Sequence, residues 1–297
     1  MPRPPLITLI AGPTASGKSA LALKMARENG AAIINADSQQ LYADLRILTA
    51  RPSETDEALA EHRLYGVADA AEAWSVGRWS REALRILDDL RSEGRPAILV
   101  GGTGLYFMAL TKGLADIPAV PPQVRERVEA DYLQQGETVF RASLALHDPQ
   151  AAATIEQSDR QRLVRAMSVL VASGRPLSAW RNDTQPLLSP DRWTGLVIEP
   201  DRASLYANCD RRVDLMIQGG VVDEVGTLLA RDLPPSLPAM KAVGVREIAA
   251  WLNGGMTEAD AVSALKQATR NYAKRQLTWF RNQTPDWARV DPGVVAP

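Results

Sequence analysis

Apolar residues along the chain follow two patterns, short continuous runs in the N-terminal third and helical spacing over much of the rest. The runs Leu6–Ala11, Ala32–Ala36 and Ala97–Val100 have the length and texture of buried strands. Helical spacing follows the first run over Ser19–Asn29 and precedes the third over Ser80–Ser92. Strands that alternate with helices in this way predict a parallel α/β sheet.

The pattern changes after Ile117, where three prolines mark a linker. From Gln123 to about Ala179 the spacing is helical without a strand pattern, and a polar stretch with two prolines follows over 182–192. Strand texture returns at Trp193–Ile198. The remaining helical segments are 203–231, 245–252 and 258–281. We therefore predict an α/β core over 1–117 and 193–297, interrupted by a mainly helical insertion domain over 118–192.

A glycine-rich stretch joins the first predicted strand to the first helix and fits the phosphate-binding pattern Gly-x-x-x-x-Gly-Lys-Ser. Its backbone N–H groups, the helix dipole and a lysine would hold phosphates, and its serine hydroxyl would reach Mg²⁺. The fold class predicted is accordingly a P-loop NTPase-like core. The residues assigned to phosphate and Mg²⁺ binding are Gly12, Pro13, Thr14, Ala15, Ser16, Gly17, Lys18 and Ser19, with Ser19 as the metal ligand.

Two further loops follow strand ends, Asp37–Gln40 and Gly101–Gly104. Ligands of parallel α/β sheets bind at the carboxyl ends of the strands, so we expect all three loops to meet at one site. The third strand ends in glycine rather than in the Mg²⁺-binding aspartate of a nucleotidase, and no guanine-recognition signature is present. Asp37 is the one carboxylate at a strand end, and it could act as a base, hold Mg²⁺ or cap a helix.

Composition narrows the class of protein. The 297 residues carry a net charge of −1, and 45% of them are hydrophobic, as in a globular protein without a membrane partner. The only cysteine, Cys209, excludes an internal disulfide and fits a reducing cytoplasm. Basic residues are nevertheless clustered over 160–165 and 261–283, the latter without acids. Such clusters indicate either a localised anionic partner or a solvated helix face.

Seven segments in order resemble the tRNA dimethylallyltransferase (tRNA isopentenyltransferase) family. They are Gly12–Ser19, Asp37–Tyr42, Thr49–Pro52, Gly101–Tyr106, Gln161–Ala166, Lys241–Gly244 and Tyr272–Phe280. The resemblance implies transfer of a dimethylallyl group from dimethylallyl diphosphate to the exocyclic amine of the adenine 3′ of the tRNA anticodon, assisted by Mg²⁺. The phosphate loop would then hold a prenyl diphosphate, and the partners would be the anticodon stem-loop and the donor, with the enzyme a monomer.

The resemblance also assigns roles to residues. Asp37 would be the general base that takes the proton of the attacking amine. Gln40 is a candidate for bidentate pairing with adenine. Arg162 and Arg165 would lie on one helical face. Asn208 stands where the family has an arginine, so Arg202, Arg211 or another residue would neutralise the diphosphate. The residues assigned to tRNA are Asp37, Ser38, Gln39, Gln40, Thr103, Arg125, Gln161, Arg162, Leu163, Val164 and Arg165.

Two other functions use the same loop. A small-molecule or nucleoside kinase would transfer phosphate from ATP, and a non-catalytic RNA-binding ATPase would bind tRNA without consuming a prenyl diphosphate.

The basic face of Lys266, Arg270 and Lys274, each four residues apart, is predicted to meet tRNA phosphates.

Overall fold

The computed structural model describes residues 7–115 and 117–291. The chain folds as two compact units, a discontinuous one, Met1–Thr111 with Leu188–Pro297, and a continuous one, Lys112–Leu187. The second unit thus begins at residue 112 rather than 118 and ends at 187 rather than 192. The second boundary lies earlier because Leu188 is a core residue of the first unit, where its N–H donates to the carbonyl oxygen of Leu110 at 2.8 Å.

The discontinuous unit is built on a parallel six-stranded sheet with the order β3-β2-β4-β1-β5-β6, which confirms the predicted parallel α/β sheet. Its central strands are buried on both faces, as expected of a sheet covered by helices. The strands are β1 (Ile7–Ala11), β2 (Ala32–Asn35), β3 (His62–Arg63), β4 (Ala97–Gly101), β5 (Trp193–Ile198) and β6 (Ala288–Val290). Leu6, predicted to start the first strand, lies outside the described residues.

Helices of this unit pack on the sheet and surround its carboxyl edge. They are α1 (Lys18–Asn29), α2 (Glu54–Leu59), α3 (Val76–Ser92), α4 (Gly104–Thr111), α9 (Arg202–Gln218), α10 (Val221–Leu229), α11 (Val245–Leu252) and α12 (Glu258–Gln283). The segment predicted to be helical over 203–231 contains two helices, α9 and α10. Gly219 and Gly220 end α9, and Gly220 has a φ of 91°, a left-handed conformation that breaks the helix.

The regular elements among the described residues of the continuous unit are all helices, and the unit has its own buried core around Phe140, Leu144 and Leu163. Its helices are α5 (Pro122–Ala145), α6 (Pro149–Thr154), α7 (Arg160–Ser173) and α8 (Leu177–Asn182). Gly136 interrupts α5 with a φ of 75° and a ψ of 164°. Across the described parts of both units, we find no helix with the length and hydrophobicity that a bilayer crossing requires.

Candidate active site

The phosphate-binding loop has the geometry of an anion site. Gly17 takes a left-handed conformation at the N-cap of α1, with φ at 86°, and no side chain caps the first amides of that helix. Lys18 is buried and donates from Nζ to the carbonyl oxygen of Pro13 at 3.1 Å. The Ser16 hydroxyl is buried and has no hydrogen-bond partner among the described residues. The loop therefore presents unsatisfied donors to a ligand.

Gln276, on α12, joins this loop to the loop after β4. Its Oε1 accepts a hydrogen bond from the Thr14 N–H at 2.8 Å, and its Nε2 donates to the Gly102 carbonyl oxygen at 2.9 Å. The residue is buried, so both ends of its amide are committed to backbone groups. Gln276 fixes the distance between two loops that lie far apart in sequence.

The glycines after β4 are required by close packing. A Cβ on Gly101 would lie 2.0 Å from the Ala36 carbonyl oxygen, and one on Gly102 would lie 2.1 Å from Nε2 of Gln276. A Cβ on Gly104 would lie 2.1 Å from the Trp279 ring. Any side chain at these positions would push apart the strand end, the loop and α12, so the Gly-rich sequence is explained by packing.

Asp37 follows β2 and is held by backbone contacts on both sides. Its N–H donates to Oδ1 of Asn35 at 2.8 Å, and its Oδ1 accepts from the Gln39 N–H at 3.0 Å. Nδ2 of Asn35 donates to the carbonyl oxygens of Asp37 and Leu64, both at 2.9 Å. Asn35 is fully buried, and it fixes the turn that aims the carboxylate. No sequence pattern marks Asn35 as functional, because an amide at a strand end has many structural uses.

Thr103 ties the loop after β4 to the loop after β2. Its hydroxyl oxygen accepts from the Ser38 N–H at 2.9 Å and lies 3.2 Å from the Ser38 hydroxyl oxygen. A Cβ on Gly102 would also lie 3.3 Å from Oδ2 of Asp37. Together with the Gln276 bridge, these contacts confirm that the three loops predicted to meet do lie together.

Two cations share the electrostatic environment of Asp37. Burial lowers the pKa of Lys18 from 10.5 to about 8, although the Asp37 charge opposes the shift and that of Arg212 adds to it. Burial likewise lowers the pKa of Arg212, again against Asp37. Arg212 donates from Nη2 to the Thr49 carbonyl oxygen at 2.8 Å, and its buried Nε is unpartnered among the described residues. An anion placed here would relieve the repulsion between the two cations.

Arg212 was not assigned from the sequence, where Arg202 and Arg211 were the candidates. Arg211 is exposed, and the guanidinium of Arg202 stacks 5.2 Å from the Tyr206 ring. Asn208, at the position of the family arginine, lies with its Nδ2 3.4 Å from the Ala15 carbonyl oxygen in the phosphate loop. Arg212 is one helical turn further along α9, so a helical-spacing argument from Asn208 could have found it.

Three tyrosine phenols have their pKa raised by burial and by the charge of Asp37. Burial raises the pKa of Tyr65, Tyr106 and Tyr272, and the charge of Asp37 raises each further. Burial also raises the pKa of the Cys209 thiol, to about 11. These groups therefore stay protonated near neutral pH.

Gln39 and Gln40 are both engaged within the protein. Gln40 donates from Nε2 to the carbonyl oxygens of Thr49 at 2.9 Å and Ala50 at 2.8 Å, which uses both of its amide hydrogens. The predicted bidentate pairing of Gln40 with adenine is therefore wrong for this conformation, because no donor remains. Oε1 of Gln39 accepts from the Val243 N–H at 3.3 Å, and its side chain hydrogen-bonds Tyr272.

In the continuous unit, several assigned residues line one cavity of about 650 Å³. Arg125, Gln161 and Arg165 are exposed and line it, together with Val164. Arg162 does not line this cavity and pairs with Asp159 at 3.3 Å. Leu163 is fully buried and Val164 nearly so, and both belong to the unit's core. Packing explains these two residues, whereas the cations and Gln161 present polar groups to solvent.

The basic face of α12 is largely neutralised. Nζ of Lys266 lies 2.6 Å from Asp214, and Nη1 of Arg270 lies 2.5 Å from Asp210, both acids on α9. The guanidinium of Arg275 lies 5.7 Å from the Tyr272 ring centre. The prediction that Lys266 and Arg270 are free to meet phosphates is therefore wrong, because the sequence of α12 alone does not reveal the acids of its neighbour. We name these two pairs the α9–α12 ladder.

The Ser19 hydroxyl is a candidate metal ligand at the phosphate-binding loop. Ser19 lies in the first turn of α1 and is exposed. No group of three or more His, Cys, Asp or Glu side chains able to hold a metal occurs among the described residues. This donor set fits a hydrated Mg²⁺ held chiefly by phosphate oxygens, and it does not fit an ion enclosed by protein ligands alone.

Comparison with known proteins gives a consistent result over nearly the whole chain. The family described as IPP transferase matches residues 40–283, and that described as isopentenyl transferase matches residues 5–71. A tRNA dimethylallyltransferase of Caulobacter sp. is 58% identical over 285 residues, covering 96% of this chain and 92% of the relative. One from Phenylobacterium zucineum is 54% identical over 286 residues, with the same two coverages.

Solved structures agree. The tRNA isopentenylpyrophosphate transferase of Bacillus halodurans matches with a TM-score of 0.67 at 31% identity, over 96% of this chain and 89% of that one. Crystallographic snapshots of a eukaryotic dimethylallyltransferase acting on tRNA match with a TM-score of 0.81 at 24% identity, over 96% and 73% of the chains, which supports the fold. With the phosphate loop, the Asp37 turn and the sheet in place, the chain belongs to the tRNA dimethylallyltransferase family.

Proposed function

We propose that the protein transfers a dimethylallyl group from dimethylallyl diphosphate to the exocyclic amine of the adenine 3′ of the anticodon in tRNA. The nitrogen lone pair attacks C1 of the donor, and the bond between C1 and the diphosphate oxygen breaks. The electron pair of that bond leaves with diphosphate, and the amine proton passes to a carboxylate. The observation that carries the proposal is the junction of the phosphate loop with the Asp37 turn beside Lys18 and Arg212.

The phosphate end of the site is built to stabilise charge on a leaving group. Loop amides, the start of α1 and the buried Lys18 would bind diphosphate, and Arg212 would add a second cation. Donors fixed in place before the reaction stabilise developing charge without reorganisation. Mg²⁺ would be held by Ser19 and the diphosphate oxygens, where it would supply further charge neutralisation.

Asp37 is the proposed general base. The adenine exocyclic amine is a weak nucleophile because its lone pair is delocalised into the ring, so removal of its proton assists bond formation. The carboxylate is positioned by Asn35 and Gln39, and the phenols around it hold their protons. Gln276 would act as a positioning residue, since it sets the spacing between the phosphate loop and Gly102.

The acceptor base would have to leave its stack to reach this carboxylate. Ser38 and Thr103, joined by hydrogen bonds, would contact its edge, with Gln39 beside them. In the continuous unit, Arg125, Gln161 and Arg165 would bind the anticodon stem-loop through its phosphates and unstacked bases. We further propose that the enzyme acts as a monomer in the cytoplasm, where tRNA is available.

Two parallel incubations separate this function from the two alternatives. The protein is mixed with total tRNA, Mg²⁺ and either labelled dimethylallyl diphosphate or labelled ATP. Label from the prenyl donor should appear in tRNA, and ATP should be left intact. Phosphate transfer from ATP would instead indicate a kinase, and tRNA binding with ATP hydrolysis alone would indicate an RNA-binding ATPase.

A further inference from the structure

A small cavity of about 30 Å³ lies beside Asp37 and is lined by both polar and apolar side chains. Asp37 and Arg212 line its polar part, and Leu48, Met216 and Leu265 line its apolar part. All three apolar side chains are at least nine-tenths buried. A cavity of this size holds little more than a water or two, so an apolar ligand must displace side chains to enter.

The two helices that form the cavity define its direction. Along α9, Asn208 contacts the phosphate loop, Arg212 follows one turn later, and Met216 one turn after that. Along α12 the order is reversed, because the α9–α12 ladder pairs the helices antiparallel, and Leu265 lies farthest from Gln276. Each turn advances about 5–6 Å, so the apolar part begins roughly one turn beyond the cation.

The apolar part is closed at its far side. A Cβ on Gly244 would lie 2.6 Å from Cδ1 of Leu48 and 2.8 Å from Cδ1 of Leu265, so both leucines pack against the bare backbone there. The backbone of Leu48 is held by Glu224 on α10, whose Oε2 accepts its N–H at 2.8 Å. The backbone of Leu48 is therefore held in place, and Met216, with its flexible side chain, is the residue that can most readily make room.

We propose that Leu48, Met216 and Leu265 set the length of the donor's hydrocarbon chain, admitting one five-carbon isoprene unit and excluding a ten-carbon chain. The inference rests on the proposed function, since it assumes that a prenyl diphosphate is bound with its phosphates at the loop. In the register set by the α9–α12 ladder, Leu265 lies level with Met216, about one helical turn beyond Arg212. A second isoprene unit would therefore meet Met216, Leu265 and Leu48. Movement of Met216 provides the space for the first unit.

The test compares dimethylallyl diphosphate with geranyl diphosphate in Met216→Ala, Leu265→Ala and the milder Leu48→Val. Binding of each diphosphate is measured by calorimetry with Mg²⁺ and without tRNA, and transfer to tRNA is measured in single turnover. Leu228→Ala is the matched control, because it removes an equally buried side chain of the same core that does not line the cavity.

The wild-type protein should bind and use geranyl diphosphate far less well than the five-carbon donor. Met216→Ala or Leu265→Ala should raise the geranyl-to-dimethylallyl ratio by about 10- to 100-fold in both assays, and Leu228→Ala should leave it unchanged. A ratio unchanged in all three cavity variants overturns the inference, as does equal binding of both donors by the wild type. Selective binding without transfer to tRNA would contradict the proposed acceptor and still support the length selection.

Discussion

The guanidinium of Arg270 on α12 lies 2.5 Å from the carboxylate of Asp210 on α9. This ion pair and the Lys266–Asp214 pair one turn away hold together α9, which carries Arg212, and α12, which carries Gln276. Cations already paired in this way gain little from meeting phosphates. The two ion pairs instead keep α9 and α12 aligned.

The first prediction concerns salt dependence. Lys266→Ala and Arg270→Ala should leave the slope of log K for tRNA against log salt nearly unchanged. Arg125→Ala and Arg165→Ala should each flatten it by about one unit, because each removes one cation available to phosphate. Filter binding over a range of KCl concentrations measures both sets. Equal flattening in the α12 variants would mean that the ladder opens to receive tRNA.

Gln276 offers a prediction in two steps. Gln276→Glu keeps the acceptor for the Thr14 N–H and loses the donor to Gly102, whereas Gln276→Leu loses both bonds. Each backbone group left unpaired should cost about 1–3 kcal/mol of stability. Turnover and diphosphate affinity should fall in both variants, because Gln276→Leu releases the phosphate loop and Gln276→Glu places a negative charge beside it.

Single-turnover transfer, calorimetry and melting temperature together check the Gln276 prediction. Gln267→Glu, an exposed glutamine change on the same helix, is the control. Wild-type diphosphate affinity and turnover in Gln276→Leu would contradict the positioning role of the amide.

Asp37→Asn tests the general base. The Asn side chain can still accept from the Gln39 N–H but cannot take a proton as a carboxylate does, so turnover should fall by about 10²- to 10⁴-fold. Binding of tRNA and diphosphate should change little. If Asp37 instead holds Mg²⁺, excess Mg²⁺ should partly restore turnover. If it serves only as a cap, stability should fall by about 1 kcal/mol while turnover per folded molecule is kept.

Asp148→Asn provides the matched control for Asp37→Asn. Asp148 is likewise buried and accepts from two backbone N–H groups, those of Ala151 and Ser178. It should lower the melting temperature without lowering single-turnover prenyl transfer per folded molecule. Near-wild-type turnover in Asp37→Asn would exclude the base assignment.

Lys18 predicts a pH dependence of diphosphate binding. Burial lowers its pKa to about 8 in the free protein, so it is charged below that pH and neutral above it. An anion binds the charged form, and affinity should therefore hold below pH 7 and weaken above pH 8, by up to about tenfold per pH unit. Calorimetry with inorganic diphosphate from pH 6.5 to about pH 9.5 measures this.

Lys18→Ala separates the titration of the lysine from that of the ligand. It lacks the ammonium group, so any pH dependence that remains belongs to diphosphate or to other groups. The difference in diphosphate affinity between the wild type and Lys18→Ala should become smaller as the pH rises through 8. A constant difference across that range would mean that Lys18 keeps its proton throughout.

Local pattern was sufficient for the four longer strands and for the loops that follow β1, β2 and β4. The loops that contain Gly17 and Gly101–Gly104 can be predicted from the sequence because glycine is needed there for local reasons. Gly17 takes a left-handed conformation, and Gly101, Gly102 and Gly104 leave no space for a Cβ. The short strands β3 and β6 were missed, since two or three residues carry no periodic signal. Gly219 and Gly220 were present in the sequence but were outweighed by the helical spacing around them.

The site residues that escaped prediction are those defined by partners distant in sequence. Arg212 gains its role from burial beside Lys18 and Asp37, and Asn35 from the turn it shapes. Gln40 was predicted to pair with a base because the sequence does not show that its amide donates to two backbone carbonyl oxygens. Lys266 and Arg270 were predicted to be free for the same reason, because their acids lie on another helix.

The bond between Thr14 and Gln276 spans 262 positions of the chain. A ribosome synthesising this protein makes the phosphate loop 262 positions before the residue that orders it. Until α12 has emerged and folded back, the nascent chain lacks the Gln276 bridge and the acids of α9 lack their partners. The phosphate loop of the growing polypeptide is therefore left without this bridge until α12 has been made.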